Sequence, residues 1–326
     1  MTDSTFGRSA TLPRFAIRET RDRTWLSSLL SEDRALNAYA LGHLELGLFE
    51  RARFWVAEGA HGYGVTVHTS GGLGRATFLA GDPSAIDALI SLHPGPYQSY
   101  LATAAPEHLP VLERHYLVEG ALQMQRMSVS SSTFVPAVRG LRPEGAEGPP
   151  ATEHELRPLV PGDVRALNAL YSTEGSPTGY VAEQIAQGIY FGAYARGMLV
   201  AAAGTHLVSP NVGIAVVGNV FTHPAFRGEG LAGRVTSAVT EELLERRGCA
   251  SIALTVNPAN EPAVRAYSRL GYQPGSPVVE ARLRRRDVFG IGSALRRWVA
   301  RRAAHGGELG DEYAPGHLPG GEGGSD

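Results

Sequence analysis

The sequence predicts an α/β protein made of two successive units, each with a mixed sheet and flanking helices. Its 326 residues are too many for one small domain and fit two of about 100–200 residues each. In both halves, stretches with apolar residues at helical spacing alternate with short β-branched runs. Residues 139–155 between them are rich in Gly, Pro and Glu and have no period, which is typical of a linker.

The composition is that of an ordinary globular protein, and it excludes several chemistries. A formal net charge of −2 gives no reason to expect nucleic acid or a membrane surface as a partner. All 30 basic residues are arginine, so neither a GxxxxGK[ST] phosphate loop nor a pyridoxal Schiff base can form. The single cysteine, Cys249, provides neither an internal disulfide nor a zinc cluster. Without an evident signal peptide or an apolar run of about 20 residues, we expect a cytoplasmic protein with no membrane span.

The first unit is predicted at residues 13–138, after a polar N-terminus of residues 1–12 that we expect to be disordered. Gly71–Arg75 has strand-like sequence on both sides, so a hairpin turn explains these glycines better than a phosphate loop. In chain order, the pattern predicts helices beginning near Asp22 and Asp33, strands within 53–81, a helix at 84–92, a strand at 97–103, a helix at 106–116 and a strand at 122–130.

The second unit, predicted at residues 156–285, contains the most informative stretch of the chain. Gly213–His223 is apolar and β-branched and predicts a central strand, and Ala250–Val256 predicts a second buried strand. Between them, apolar residues recur every four positions and predict an amphipathic helix that ends at Gly248. The stretch AFRGEGLAGR, residues 225–234, therefore joins a strand to a helix N-terminus.

A glycine-rich turn at a helix N-terminus is a natural site for an anion. The first amides of a helix have no intrahelical partner and carry the positive end of its dipole, and glycine lets a ligand approach them. A diphosphate is the expected occupant, with Arg227 and Arg234 as additional donors. Residues 228–233 also have the GxGxxG spacing of a dinucleotide-binding fold. That interpretation is disfavoured because strands precede the loop within its unit and no acidic residue follows the next strand.

The stretch after the second strand completes a longer pattern. Asn260 is predicted to cap a helix, Pro262 lies in its first turn and Gly271 closes it. The arrangement R-x-x-G-x-A from Arg227, followed by N-x-x-A-x-x-x-Y-x-x-x-G-Y from Asn260, resembles the GCN5-related N-acetyltransferase superfamily. The resemblance covers about residues 156–285.

The first unit carries neither motif and is similar to the degenerate unit of tandem members, including the FR47-like group. The resemblance implies two tandem domains of this type. Each is expected to be a mixed, mostly antiparallel sheet flanked by helices, with the N-terminal one degenerate and structural.

What the resemblance implies for function is transfer of an acetyl group from acetyl-CoA to a primary amine by direct attack on the thioester, with no metal. The loop amides would hold the diphosphate of CoA, and the preceding strand would pair its exposed backbone with the pantetheine arm. The implied cofactor-binding residues are Val220, Phe221, Thr222, Arg227, Gly228, Gly230, Leu231, Ala232, Gly233, Arg234, Asn260 and Tyr267.

Three residues are candidates for catalysis. Tyr267, implied to lie beside the thioester sulfur, is the candidate general acid, since a positioned tyrosine hydroxyl can protonate a departing thiolate; the alternative is a core aromatic. No acid occupies the strand VVGNVFTH, where many members carry a Glu, so the general base is unassigned. Asn219 could position a water, Glu174 could recognise the acceptor or act as base, and His223 is more typical of a turn.

Two functions stay open at this point. One is a single-site N-acetyltransferase acting on a small-molecule or peptide amine, as a monomer or homodimer. The other is a non-catalytic acyl-CoA-binding regulatory module. The missing strand carboxylate favours the module, whereas Tyr267 and Asn260 favour the enzyme. In residues 286–326 we expect a basic amphipathic helix packed on its own domain, followed by a disordered tail.

Overall fold

The computed structural model describes residues 15–60, 62–71, 74–137, 154–175, 179–287 and 289–306. The predicted disordered N-terminus at 1–12, almost all of the predicted linker and the chain after residue 306 lie outside the described residues. The side chains of residues 71 and 302–306 also lie outside them.

The described strands and helices follow the predicted alternation. The strands are β1 (Ala16–Thr20), β2 (Ala52–Gly59), β3 (Gly62–Gly71), β4 (Gly74–Gly81), β5 (Gln98–Ala104), β6 (Tyr116–Ser130), β7 (Glu155–Pro158), β8 (Phe191–Ala195), β9 (Met198–Ser209), β10 (Ile214–Thr222), β11 (Ser251–Val256) and β12 (Gln273–Arg285). The helices are α1 (Arg23–Leu30), α2 (Ala38–Gly42), α3 (Leu46–Phe49), α4 (Pro83–Leu92), α5 (Leu109–His115), α6 (Val164–Ser172), α7 (Ala182–Gln187), α8 (Leu231–Glu241), α9 (Glu261–Arg269) and α10 (Ile291–Gly306).

The two halves repeat one order of elements. Each has a strand, two or three helices, three strands, a helix, a strand, a helix and a final strand. Pairing is antiparallel throughout the described sheet except between β4 and β5 and between β10 and β11, where α4 and α8 make the crossovers. The predicted fold class, a mixed and mostly antiparallel sheet flanked by helices, is confirmed.

The last strand of each half pairs across the boundary between the halves. The twelve described strands form one sheet in the order β1-β2-β3-β4-β5-β12-β6-β11-β10-β9-β8-β7. The final strand of the second half, β12, lies beside β5 of the first half, and β6 of the first half lies beside β11. Strands β6 and β12 also pair with each other. The division into two units stays a prediction, and the sheet runs through both of them without a break.

One predicted helix is different in the structure. The apolar spacing from Asp33 predicts a long helix, but the chain forms a short 3-10 turn followed by α2 and α3. All five residues of α2 are buried, and a Cβ at Gly42 would lie 1.9 Å from a methyl group of Leu207 in β9. Close packing against the second half therefore overrides the helical period of the sequence.

Helices α1 to α9 pack on the sheet in four groups, one of which is α6 with α7 against β8 and β9. Helices α4 and α5 cover one face of the first half, and α8 and α9 cover the corresponding face of the second half. Helices α1 to α3 lie between the halves, where Tyr39 and Leu41 of α2 share a core with Phe54 of β2 and Val216 of β10. The first half thus supplies part of the surroundings of β10.

The predicted terminal helix, α10, forms, but the expectation that it packs on its own domain is wrong, because its arginines bind the C-terminus of α4 in the first half. Arg296 Nε and Arg297 Nη1 donate to the carbonyl oxygens of Ser91 and Leu92, at 2.8 and 2.6 Å. These carbonyls are at the C-terminus of α4, where a helix dipole favours cationic side chains. None of the helices in the described part of the chain is long and apolar enough to cross a membrane.

Candidate active site

The parallel strands β10 and β11 separate at their C-terminal ends. They pair from Ile214 and Ser251 as far as Val217 and Leu254. From Gly218 to Thr222, the edge of β10 that faces β11 has no strand partner among the described residues. A gap of this kind exposes main-chain donors and acceptors with which an extended ligand can pair as an added strand.

A β-bulge lies at the start of this gap. The register of β10 against β9 shifts between Gly218 and Phe221, and Asn219 has a φ of +54°. Its carbonyl oxygen accepts from the Tyr171 hydroxyl, and its Oδ1 lies 3.1 Å from His206 Nε2. These bonds hold the bulge in a backbone conformation that costs free energy for a residue with a side chain. The side-chain nitrogen Nδ2 of Asn219 lies 3.4 Å from the Tyr190 hydroxyl, and the placing of a water by Asn219 stays a prediction.

The glycine-rich loop after β10 leaves a row of main-chain amides open. Gly230 is the N-cap of α8, with a φ of +75° and no side chain capping the helix, and Gly228 has a φ of +84°. Within the described chain, the amides of residues 228–233 have no backbone acceptor. The first that does is that of Arg234, which bonds to the Gly230 oxygen at 3.1 Å. This arrangement fits the predicted diphosphate site, because the loop presents free N–H donors and lies at the positive end of the helix dipole.

The arginines flanking the loop have partners in the structure. Arg227 Nη2 lies 2.6 Å from Glu174 Oε2, and both side chains are about half exposed. Arg234 Nη2 donates to the carbonyl oxygen of His154 at 3.3 Å. The predicted role of Glu174 in acceptor recognition or base catalysis stays a prediction, and the structure adds its ion pair with Arg227 at the mouth of the loop.

The predicted features of α9 are in place. Asn260 caps the helix by accepting from the amide of Ala263 at 3.3 Å. Tyr267 is 7% exposed and packs in the core formed with α8, its ring centroid 6.1 Å from that of Tyr272. Burial raises the pKa of the Tyr267 hydroxyl to about 12, so the group keeps its proton at neutral pH. Both interpretations of Tyr267, proton donor and core aromatic, are compatible with this geometry.

Two further predicted positions lie at the end of β10. The hydroxyl of Thr222 is buried and has no hydrogen-bond partner among the described residues, at a position predicted to contact the pantetheine arm. His223 Nδ1 accepts from the amide of Ala225 at 3.2 Å, which is the turn role expected from the sequence.

An aromatic cluster beside the bulge was not predicted. Tyr171 of α6 lies with its ring centroid 5.1 Å from that of Phe221 and 5.0 Å from that of Tyr180. The Tyr180 ring in turn meets Tyr190 edge-on at 6.3 Å. The only signal in the sequence was the recurrence of tyrosine on both sides of Glu174, the candidate for acceptor recognition.

A hydrogen-bonded chain connects the first half to the bulge, and it too was not predicted. His206 Nδ1 lies 2.6 Å from the Tyr39 hydroxyl of α2. Burial lowers the pKa of His206, which favours the neutral ring. Since Asn219 Oδ1 can only accept, the ring hydrogen is assigned to Nε2, and Nδ1 then accepts from Tyr39. His206 lies in a mostly apolar strand, and nothing local in the sequence identifies its partners.

Comparisons with known proteins support the family resemblance and the fold. The family model described as FR47-like protein matches residues 190–278, which confirms the resemblance to the FR47-like group over that stretch. A Drosophila protein of known structure is similar over 84% of this chain and 98% of its own length, with 14% identity and a TM-score of 0.56, which shows a shared fold. No curated protein matches the sequence.

Two further solved structures are similar at lower TM-scores. A GCN5-related N-acetyltransferase from Kribbella flavida has 18% identity and a TM-score of 0.49, covering 80% of this chain and 95% of its own. A tandem GNAT protein from the clavulanic acid biosynthesis pathway has 14% identity and a TM-score of 0.48, covering 82% and 98%.

Proposed function

We propose that this chain, FR47-like over residues 190–278 and with the fold of GCN5-related N-acetyltransferases, transfers an acetyl group from acetyl-CoA to a primary amine. One observation carries the proposal. The uncapped N-terminus of α8 follows directly on the strand that separates from its parallel neighbour. A site for a diphosphate and an edge for an extended arm therefore adjoin each other, in the order in which these groups occur in CoA.

The residues present fit this cosubstrate. The amides of residues 228–233 would bind the diphosphate, the free edge of Gly218–Thr222 would pair with the pantetheine arm, and Asn260 would lie at the start of α9 beside it. When bound, acetyl-CoA supplies an acetyl carbon activated for attack by an amine. The amine nitrogen then bonds to that carbon, the C–S bond breaks, one proton leaves the nitrogen and one reaches the sulfur.

Tyr267 holds the proton that the sulfur requires. Its hydroxyl is protonated at neutral pH because burial raises its pKa to about 12. A main-chain N–H at the bulge around Asn219 is the donor that this chain offers to a developing negative charge on the acetyl oxygen. The proton that the amine loses has no side-chain acceptor on β10, because Ile214–Thr222 contains neither a carboxylate nor an imidazole.

That same deficiency supports a second candidate, a non-catalytic acyl-CoA-binding module. The Asn219 side chain is fixed by His206, and Glu174 is paired with Arg227. In this alternative, the amides of residues 228–233 and the free edge of β10 bind the cosubstrate and no proton acceptor is needed.

Two measurements on the full chain separate the candidates. Acetyl-CoA is titrated by calorimetry, and thiol release is then followed with a panel of primary amines. Binding together with acceptor-dependent thiol release is the result we expect. Binding without release on any amine would support the module, and the absence of binding would contradict both candidates.

A further inference from the structure

A buried arginine beside the gap lacks most of its hydrogen-bond partners. Arg126 lies on β6 with 0% of its surface exposed, opposite Thr255 in the pairing of β6 with β11. Its Nη1 donates to Thr255 Oγ1, and its guanidinium carbon is 5.2 Å from the ring centroid of Tyr39. Within the described chain, Nε and Nη2 are buried and have no hydrogen-bond partner. Buried donors of a charged group are costly to leave unpaired, so this site calls for an explanation.

The two unpaired nitrogens form one edge of the guanidinium, and this edge has a known complement. In this same chain, Arg53 uses Nε and Nη2 to donate to Oε1 and Oε2 of Glu19, at 2.8 and 2.7 Å. A planar fork of two N–H groups matches the two oxygens of a carboxylate. The unpaired edge of Arg126 therefore has the shape and charge to bind a carboxylate that the described part of the chain does not supply.

The position of Arg126 connects it to the gap between β10 and β11. Thr255 directly follows Leu254, the last residue of β11 paired with β10, and it is only partly buried. The guanidinium thus bonds to a partly buried residue of β11 just beyond the point at which β10 and β11 separate. Side chains alternate along a strand, so Thr255 faces the same side as Ala253, which packs with Tyr39. Leu254 faces the opposite side, towards the core formed with α8.

The face that carries Arg126 also carries the chain of bonds leading to the bulge. Tyr39 contacts the guanidinium and bonds to His206, which bonds to Asn219. The Glu280 carboxylate of β12 acts on the same groups. Burial is the main cause that raises the pKa of Tyr39, and Glu280 raises it further, whereas Arg126 opposes the shift through its charge and a side-chain hydrogen bond. Within the described residues, Glu280 forms no ion pair with Arg126. The face therefore carries one cationic and one anionic group that act on Tyr39.

We propose that the amine acceptor carries a carboxylate, as an amino acid does, and that Nε and Nη2 of Arg126 bind it from the face of the sheet opposite α8 and α9. This inference rests on the proposed function and narrows its acceptor to one chemical class. The carboxylate takes no part in the bond changes. Its binding directs the amine of the acceptor towards the gap, where the acetyl carbon would lie.

The test compares acceptors that differ only at the carboxylate. Each of the common amino acids is paired with its primary amide, and kcat/KM for thiol release is measured at one fixed acetyl-CoA concentration. We expect the carboxylate member of the preferred pair to be favoured by about 100-fold, because its amide leaves the buried guanidinium unpaired. Equal rates for acid and amide, or turnover of neither while acetyl-CoA binds, would overturn the inference and leave the binding of acetyl-CoA standing.

A substitution tests whether Arg126 causes the preference for the acid over the amide. Arg126→Met keeps an unbranched side chain and removes the charge, so the acid-to-amide ratio should fall to within about threefold of unity. The unfolding temperature of the free variant should be unchanged or higher, because an unpaired buried charge is replaced by an apolar group. Arg53→Met, which removes the exposed arginine paired with Glu19, is the matched control and should leave the ratio unchanged.

Three other results would each refute the assignment. In the first, the Arg126→Met variant keeps the wild-type ratio. In the second, this variant unfolds several degrees below the wild type, which would mean that the arginine stabilises the fold. The third is a preference for malonyl-CoA or succinyl-CoA over acetyl-CoA that Arg126→Met removes, which would place the carboxylate on the acyl group. Failure of the proposed function itself would look different, since acetyl-CoA would then not bind to the wild-type chain.

Discussion

Helices α4 and α8 occupy equivalent positions in the two halves, but only the N-terminus of α4 is capped by a side chain. Each follows a strand and crosses over to a parallel neighbour. At α4, Asp82 Oδ1 accepts from the amides of Ser84 and Ala85 at 2.8 and 3.1 Å, and Pro83 has no amide to offer. At α8, the cap is Gly230, and no side chain reaches the first turn.

The difference shows how one topology can be either closed or open to an anion. A carboxylate from the chain satisfies the helix terminus in the first half, which stabilises the helix and excludes an external anion. Glycine in the second half leaves the same donors unsatisfied, which costs stability and keeps them available. We therefore expect one CoA site for each chain, at α8, and the predictions that follow test this expectation.

The largest effect is expected from removing the first half. A chain of residues 154–326 lacks β6, which pairs with both β11 and β12, and it lacks the packing of α2 on β10. The loss of a central strand should cost more free energy than the whole stability of a typical domain, which is about 5–15 kcal/mol. We expect no cooperative unfolding transition in calorimetry and no binding of CoA. A truncated chain that melts cooperatively and binds CoA like the full chain would show that the halves are independent.

The next largest effect is expected from closing the open terminus of α8. Gly230→Val places a β-branched side chain at a φ of +75° among the free amides, and CoA affinity should fall by at least about 100-fold. The matched control is Gly248→Val, at the far end of the same helical segment, where φ is +69° and a Cβ has open space. Both substitutions should cost about 1–2 kcal/mol of stability through the left-handed backbone. Calorimetric titration showing equal CoA affinity in the two variants would mean that the loop does not hold the diphosphate.

A purely kinetic effect, with little change in CoA binding or stability, is expected at α9. Tyr267→Phe removes the proposed proton donor and should lower kcat by about 10²–10⁴-fold, with little change in CoA affinity. Tyr272→Phe is the control, because its buried hydroxyl bonds to Thr240 Oγ1 at 2.8 Å and is structural. That variant should lose about 1 kcal/mol of stability and keep its kcat. If both variants keep the wild-type rate, Tyr267 is a core aromatic.

A modest effect on stability alone is expected at α4. Asp82→Ala removes the cap and should cost about 1 kcal/mol in the free energy of unfolding. The number of CoA molecules bound should stay at one, because Gly81 is packed so closely that a Cβ there would lie 2.2 Å from the Tyr63 oxygen. Detection of a second bound CoA by calorimetry would show that a freed helix terminus is sufficient for CoA binding. The capping aspartate alone would then explain why α4 does not bind CoA in the wild type.

The smallest effect concerns pH. A proton donor works below its pKa, and burial raises that of Tyr267 to about 12. The alkaline side of the kcat profile should therefore be flat up to about pH 10. A decline with an apparent pKa near 8 in the wild type, absent in Tyr267→Phe, would show that the hydroxyl is not in the buried state described.

The elements around α8 were predictable because their signals are local. The apolar run of β10, the four-residue spacing of α8 and the cap at Asn260 each depend on neighbouring residues. The exchange of β6 and β12 was not predictable, since nothing in an alternating strand identifies the strand that will pair with it. His206 and Tyr39 are 167 residues apart, and Arg126 and Thr255 are 129 apart. In the sequence, Arg126 is only a polar residue in a strand, and its significance comes from burial and from two unpaired nitrogens.

The most direct test of the central claim is a crystal structure of the full chain with CoA bound. The open terminus of α8 predicts diphosphate oxygens within about 3 Å of amides in residues 228–233, and a pantetheine arm running along Gly218–Thr222. It also predicts that Asp82 still caps α4. A diphosphate bound at α4, or elsewhere with the amides of α8 left free, would contradict the account.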